Sequence, residues 1–172
     1  MKILKRVLLV LLIIIAIPFI IALFVSNDFQ ARSTILIDKP REEVFEYVRQ
    51  VSNQEDFGVW FKMDPDIKLI SEGTDGTEGF VLRWESDVVG NGSQTITRIV
   101  GQDSIISKLD FGFGDPPTGY FALRPMGDSQ TEVTWGIKGR TPYPWNFMSL
   151  FVDMNKDFEV GVSNLKKEME GE

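Results

Sequence analysis

Residues 144–169, PWNFMSLFVDMNKDFEVGVSNLKKEM, carry the clearest periodicity in the chain. Their apolar side chains recur at helical spacing and predict one long helix with a single apolar stripe to bury. The stripe consists of Phe147, Phe151, Met154, Phe158, Val162, Leu165 and Met169. Charged residues such as Lys156 and Lys166 take the other faces. The chain before this helix, about residues 30–140, is expected to cover the stripe, mostly with strands.

The composition of the chain excludes several kinds of chemistry. Its 172 residues include no cysteine and no histidine. Disulfides, thiolate or histidine metal sites, cysteine nucleophiles and serine–histidine triads are therefore excluded, which argues against a hydrolytic enzyme. No metal site and no cofactor is expected. Aromatic residues make up 12% of the chain, with 13 phenylalanines, so an aromatic core or cavity can be built.

The charge of the chain argues against nucleic acid as a partner. The formal net charge is −7, and three basic residues lie in the acid-free segment before residue 28. The remainder has 15 basic and 25 acidic residues, a net charge of −10. A phosphate backbone would repel a domain of this charge, and no basic stripe offsets it.

An uninterrupted apolar run, VLLVLLIIIAIPFIIALFV, occupies residues 7–25. Its length approaches the roughly 30 Å hydrocarbon core of a bilayer. Basic residues precede the run and Asp28 follows it, so the positive-inside rule predicts a cytoplasmic N-terminus and an extracytoplasmic domain, periplasmic or on the cell surface. A cleaved signal peptide is the alternative, but the run is long for a signal core and lacks a good small-x-small cleavage site. We therefore interpret residues 1–27 as a single-pass transmembrane anchor and residues 28–172 as one domain.

The order of elements in the domain predicts its architecture. A strand over residues 29–37 precedes two short helices, over residues 41–51 and 52–61. Six further strands follow before the final helix, at residues 67–71, 80–85, 95–102, around Leu109, Phe111 and Phe113, at 120–124 and at 133–137. Short connections favour antiparallel pairing. The fold class is therefore α+β, with a curved antiparallel seven-stranded sheet wrapped around the C-terminal helix.

Three segments resemble a known superfamily. They are IDKPREEVFEYV at residues 37–48, the pair Val59-Trp60, and DFEVGVSNLK at residues 157–166. Over residues 29–170 the chain resembles the helix-grip (SRPBCC) superfamily, which includes START domains, plant pathogenesis-related allergens and the polyketide cyclase/dehydrase group. The resemblance implies a hydrophobic cavity between the sheet and the final helix. None of the three segments is a catalytic signature, and the superfamily hosts carriers, enzymes and co-chaperones alike.

Three functions follow from that resemblance. The first is a membrane-anchored binding domain for a lipid or other apolar small molecule. The second is a protein-interaction domain whose core is filled by its own side chains, with a protein partner. The third is a cyclase or dehydrase-type enzyme on a hydrophobic substrate, which would need an ionisable side chain in the pocket. Enzymatic activity is not the favoured interpretation.

The candidate pocket is defined by large side chains on faces that should meet. The residues expected to line it are Trp60, Trp84, Phe111, Phe113, Phe121, Trp135, Phe151, Met154 and Phe158. The same residues could instead fill a solid core. Trp60 could act as a gate or as a plug, and strand alternation leaves open whether Tyr120 or Phe121 points inward.

The charged residues of the strands are expected on the solvated face of the sheet. They are Arg83, Glu85, Arg98, Asp110 and Arg124. One of them turned inward would bind a charged head group or supply acid–base chemistry. The acidic residues Asp64, Asp66 and Asp75 do not have the spacing of a calcium loop and are interpreted as turn residues.

Overall fold

The computed structural model describes residues 2–171, so Met1 and Glu172, the outermost residues of the two predicted domains, lie outside the described residues. Helix α1 spans Lys2–Ala22. Its segment Ile3–Ala22 is long and apolar enough to cross a membrane, a property that signal sequences share. The division of the chain at residue 27 stays a prediction.

A seven-stranded sheet forms the body of the domain, as predicted. Its strands are β1 (Asp28–Ile37), β2 (Lys68–Glu72), β3 (Val81–Glu85), β4 (Gly92–Val100), β5 (Ser104–Asp110), β6 (Thr118–Pro125) and β7 (Thr131–Arg140). All neighbours pair antiparallel in the order β1-β7-β6-β5-β4-β3-β2. The strands β2 to β7 form a meander because each follows its neighbour through a short connection. β1 joins the far side of β7 and becomes one edge of the sheet.

Short helices cover the sheet between β1 and β2. Helix α2 spans Arg41–Val48, a 3-10 turn follows at Val51–Asn53, and helices α3 and α4 span Gln54–Phe57 and Val59–Met63. The second predicted helix is thus divided, and Gly58 separates its two α-helical pieces with an extended backbone. The cover is held by buried apolar side chains, namely Val44, Phe45, Val48, Val51 and Phe57.

The single long helix predicted over residues 144–169 is wrong. The structure has a 3-10 helix at Trp145–Leu150, a break, and then helix α5 at Asn155–Glu170. At the break, the Asp153 carboxylate accepts hydrogen bonds from the backbone and side-chain amides of Asn155, the first residue of α5. The 3-10 helix before the break contacts α1. Its Asn146 side chain donates hydrogen bonds to the carbonyls of Ala22, the last residue of α1, and Val25 just after it.

Helix α5 lies along the free edge of β1 and satisfies its backbone. The Asn155 side chain accepts a hydrogen bond from the Arg32 amide at 3.0 Å. Near the other end, the Lys166 ammonium donates to the Leu36 carbonyl at 2.8 Å, and Glu170 accepts from the Asp38 amide. An edge strand otherwise presents unpaired donors and acceptors to other chains. The polar side chains of α5 therefore close this edge of the sheet.

One glycine sets how closely α5 approaches the sheet. A Cβ atom at Gly161 would lie 2.5 Å from Cζ3 of Trp135, on β7, which is closer than van der Waals contact allows. Glycine therefore allows the Trp135 indole to lie directly against the helix backbone. The flanking residues Phe158, Val162 and Leu165 are buried against the same face. This contact is the physical reason for the glycine in the segment that resembles the helix-grip pattern.

Replacing Gly161 with alanine is expected to destabilise the protein by about 1–3 kcal/mol, because the added methyl group overpacks the contact with Trp135. Helix propensity alone would favour alanine by about 1 kcal/mol, so the sign of the change reports the steric contact. The measurement is thermal unfolding of the full chain in detergent, followed by near-ultraviolet circular dichroism. Val160→Ala, an exposed site on the same helix, is the control and should leave the melting temperature nearly unchanged.

Candidate functional site

A cavity of about 130 Å3 lies between the sheet, α4 and the start of α5. Its deep end is formed by the buried side chains of Ile105, Phe121, Trp135 and Phe158. Its outer end is formed by partly or fully exposed residues, which include Ile67, Trp84, Val89 and Phe111. The cavity thus runs from the middle of the core towards one end of the sheet.

The Trp135 indole is the centre of the aromatic cluster at the deep end. The Phe121 ring stacks on it with ring centroids 5.2 Å apart and an angle of 10°. Phe57, Trp60 and Phe158 meet it edge to face, at 5.2, 5.7 and 5.2 Å. Aromatic pairs prefer these two geometries. Since Trp135 also lies against Gly161, its ring is held by these contacts at the wall of the cavity.

Seven of the nine predicted pocket residues line this cavity. They are Trp60, Trp84, Phe111, Phe121, Trp135, Met154 and Phe158. The structure also shows which of two neighbours faces inward, because Phe121 is buried whereas the Tyr120 hydroxyl bonds Gln30 on the opposite face of the sheet. Trp60 packs edge to face on both Trp135 and Phe158. Whether these residues bind a ligand stays a prediction.

Phe113 and Phe151 do not line the cavity, and their side chains are 80% and 75% exposed. Phe151 lies in the break before α5, where helical spacing no longer applies. β5 ends at Asp110, and its carboxylate accepts a hydrogen bond from the Gly112 amide at 3.0 Å. Gly112 has a φ of 78°, a left-handed conformation that favours glycine, so the alternation of the strand stops before Phe113.

Comparison with solved structures gives related folds at low sequence identity. Norcoclaurine synthase from Thalictrum flavum superposes with a TM-score of 0.64 at 9% identity, covering 89% of this chain and 92% of that chain. The Aha1 dimer from Colwellia psychrerythraea gives 0.58 at 14% identity, covering 83% and 96%. The Zhui aromatase/cyclase from a Streptomyces species gives 0.57 at 14% identity, covering 83% and 94%. No family model and no curated protein matches the sequence.

This chain has the helix-grip fold. The neighbours share its curved antiparallel sheet and its C-terminal helix over most of their length. The resemblance drawn from the sequence is thereby confirmed at the level of the fold. A helix-grip fold supports binding, catalysis and protein contact, so the function must be argued from the cavity itself.

The cavity of this helix-grip domain has a few polar groups. Gln54 at the start of α3 is 5% exposed and is part of the cavity lining. The Gln94 amide donates to the buried Ser107 hydroxyl at 3.3 Å. A side-chain amide can both donate and accept hydrogen bonds, so Gln54 is a candidate partner for a polar group on a ligand. Sequence reasoning missed it, because a glutamine on a short helix is normally a surface residue.

No charged side chain lines the cavity within the described part of the chain. The charged strand residues lie outside it as predicted, with Arg83 paired to Glu72 at 2.9 Å on the surface. That hydrogen bond lowers the pKa of Glu72 and raises the pKa of Arg83. Burial raises the pKa of the Tyr47 phenol, helped by its hydrogen bond to Asp56. Tyr47 is part of the helical cover and does not line the cavity.

The acidic turn residues have structural roles. The Asp75 carboxylate accepts hydrogen bonds of 2.8 and 3.0 Å from the amides of Val51 and Ser52, and further bonds from the Ser52 hydroxyl and the Gly76 amide. The Asp64 carboxylate accepts from the Ser86 hydroxyl and from the Asp66 amide. No group of three or more acidic side chains that could hold a metal ion is present among residues 2–171.

Replacing Asp75 with alanine is expected to lower the free energy of unfolding by at least about 2 kcal/mol, because two amides at the helical cover lose a charged partner. The measurement is urea unfolding of the full chain in detergent. Asp115→Ala removes an exposed loop carboxylate and is the matched control. Equal stability of the two variants would contradict the assigned role of Asp75.

Proposed function

We propose that this chain is a membrane-anchored domain that binds an apolar small molecule in the cavity between its sheet and α5. The observation that carries the proposal is the cavity itself, which is walled largely by packed aromatic rings and has Gln54 in its lining. A well-packed core rarely keeps such a space, because a void costs stability.

The volume of the cavity limits the size of the ligand. An engineered cavity of about 150 Å3 accepts benzene, whereas drug-sized ligands occupy roughly 300 Å3 or more. A volume of about 130 Å3 therefore fits a single ring or a short hydrocarbon segment. A whole lipid would exceed it, so only part of a lipid chain could enter unless Trp60 or Phe111 moved outward.

The chemistry of the cavity further restricts which ligands can bind. Its wall has no charge to pair with an ion, so a charged group on the ligand would lose its hydration without compensation. A neutral ligand with one hydroxyl, carbonyl or amide could instead bond the Gln54 amide. The norcoclaurine synthase of Thalictrum flavum was crystallised with dopamine and hydroxybenzaldehyde, both single-ring molecules with hydrogen-bonding groups. That structure shares only the fold, and it supports the size class.

Binding is favoured over the two other functions for a physical reason. A cyclase or dehydrase must move a proton, and the charged side chains of the strands lie outside this cavity. An interaction domain with a filled core would have no cavity of this size. The binding proposal accounts for both observations.

A pair of matched probes tests the proposal on the full chain in nanodiscs. Toluene and p-cresol differ by one hydroxyl, and both should bind the wild type in a saturable way. Gln54→Leu keeps the shape of the side chain and removes its hydrogen bond. It should retain toluene affinity and weaken p-cresol binding about five- to tenfold. Isothermal titration measures both affinities.

Two further variants make the binding test decisive. Ile105→Phe fills the deep end of the cavity and should abolish binding of both probes. Gln102→Leu makes the same substitution in the β4–β5 turn, outside the cavity, and should change neither affinity. Partition of the probes into lipid affects all variants equally. Binding that survives Ile105→Phe would place the ligand elsewhere and refute the proposal.

The anchoring part of the proposal rests on α1 and on what holds its end. Twenty residues in a helix span roughly 30 Å, the thickness of a hydrocarbon core. The buried Asn146 amide donates to the carbonyls of Ala22 and Val25, each at 2.8 Å. Removal of α1 would take the Ala22 acceptor away from this buried amide. The basic residues in the first turns of α1 favour a cytoplasmic N-terminus and an extracytoplasmic domain.

The anchor is tested by the mass and the extraction of the native protein. The chain purified from its own membranes should keep residues 1–27 by intact mass, and it should stay in the membrane at alkaline pH. The domain should be accessible to protease added outside spheroplasts or cells. A protein that begins after residue 22 and is released by alkaline washing would show that α1 is a signal peptide.

A further inference from the structure

We propose that the end of the domain from which α1 emerges is a second membrane-contact surface that inserts shallowly into the lipid bilayer. This surface, the apolar rim, consists of residues 143–152 and the β3–β4 and β5–β6 connections, residues 86–91 and 111–117. It contacts the bilayer at the boundary between the lipid head groups and the acyl chains. The inference rests on the proposed anchoring by α1, but it assigns a separate contact to the folded domain.

The topology of the sheet brings these segments to one end. β1 begins next to α1 and pairs antiparallel with β7, so β7 ends at the same edge. Alternation of strand directions then places the β5–β6 and β3–β4 connections at that end as well. Helix α5 runs along β1 from Arg32 towards Asp38, so its beginning and residues 143–152 are also at this end.

Direct contacts hold residues 143–152 against the last turn of α1. The Asn146 side chain bonds two carbonyls there, and the rings of Phe19 and Tyr143 meet edge to face with centroids 6.4 Å apart. A helix that spans a bilayer ends at the boundary between lipid and water. The 3-10 helix Trp145–Leu150 is therefore held at the depth of that boundary.

The side chains of the apolar rim are unusually exposed for a surface in water. The exposed large side chains on it are Val88, Phe111, Phe113, Tyr143, Trp145, Met148, Leu150, Phe151 and Val152, with exposures from 37% to 80%. A concentration of exposed apolar side chains marks an interaction surface, and tryptophan and tyrosine are enriched at membrane interfaces. The connections at the opposite end of the sheet are mostly glycine and polar residues, and their large apolar side chains are the buried Phe80 and the 44% exposed Met126.

The charges on the apolar rim determine how the contact works. Asp28, Asp87, Asp115 and Asp153 lie at this end and are exposed. They would be repelled by anionic lipids and would keep their hydration in a shallow contact. Insertion is therefore driven by burial of apolar and aromatic surface, and it does not require anionic lipids.

The outer end of the cavity lies beside the same surface. Trp84, Val89 and Phe111, which line it, belong to the β3–β4 and β5–β6 ends of the sheet. A ligand that dissolves in the bilayer could therefore reach the cavity from the lipid without crossing bulk water. Besides orienting the domain on the bilayer, the apolar rim would therefore place the cavity where a ligand can enter from the lipid.

The absence of cysteine from the chain permits a clean test, because a single introduced cysteine is the only site that a thiol-reactive label can modify. Phe151→Cys and Phe113→Cys place the environment-sensitive NBD fluorophore on the apolar rim. Met126→Cys places it on an exposed apolar site at the opposite end and is the matched control. The full chain is reconstituted in phosphatidylcholine vesicles with and without nitroxide-labelled lipid, and unchanged melting temperatures confirm that each variant is folded.

The expected result is blue-shifted NBD emission at positions 151 and 113, with quenching by nitroxide lipid at least about twofold stronger than at position 126. Anionic lipid should not increase the quenching. Emission at position 151 equal to that at position 126 would overturn the apolar rim. Flotation of the same vesicles at alkaline pH tests separately whether α1 anchors the protein. If the protein floats but its NBD emission is that of the fluorophore in water, only the proposed contact of the apolar rim is refuted. Loss of flotation refutes both proposals.

Two other outcomes would also count against the proposal. Quenching that requires anionic lipid would show an electrostatic contact of a different kind. A blue shift that appears only after addition of a host membrane-protein fraction would assign the surface to a protein partner.

Discussion

The contact between Gly161 and the Trp135 indole is the constraint on which the rest of this structure depends. A side chain at position 161 would push α5 away from the sheet, because even a Cβ atom would lie 2.5 Å from the indole. With glycine there, the helix backbone fixes one face of the ring while Phe121 stacks on it. The remaining aromatic rings then meet Trp135 edge to face. The packing of the core and the wall of the cavity therefore have the same origin.

A cavity survives in this core because its wall is made of rings in mutual contact. Flexible aliphatic side chains would relax into the space, whereas an aromatic ring held at several edges has few alternative rotamers. The energetic cost of this empty space is offset elsewhere in the fold. The polar side chains of α5 close the edge of β1, and Asp75 satisfies the amides of the helical cover. These contacts stabilise the fold without filling the cavity.

The same end of the domain combines the outer end of the cavity, a helix long and apolar enough to span a membrane, and exposed aromatic residues. This combination gives a physical explanation for two residues that sequence reasoning placed in the pocket. Phe113 and Phe151 are apolar residues, but their side chains point away from the core. Periodicity records that a side chain prefers an apolar environment, and a bilayer provides such an environment as well as a core does. The sequence pattern cannot distinguish the two.

The sequence by itself determined the order of the strands and helices, the antiparallel meander, the apolar segment of α1 and most of the inward-facing aromatic residues. These follow from local periodicity and turn residues, which act over a few residues of chain. Only the tertiary structure decided the break between Leu150 and Asn155, the outward direction of Phe113, and the burial of Gln54 in the cavity. Each depends on groups distant in the chain, such as Asn146 with Ala22, or on a backbone conformation that composition does not specify. Contacts over such separations become visible only when the sheet has closed around its helix.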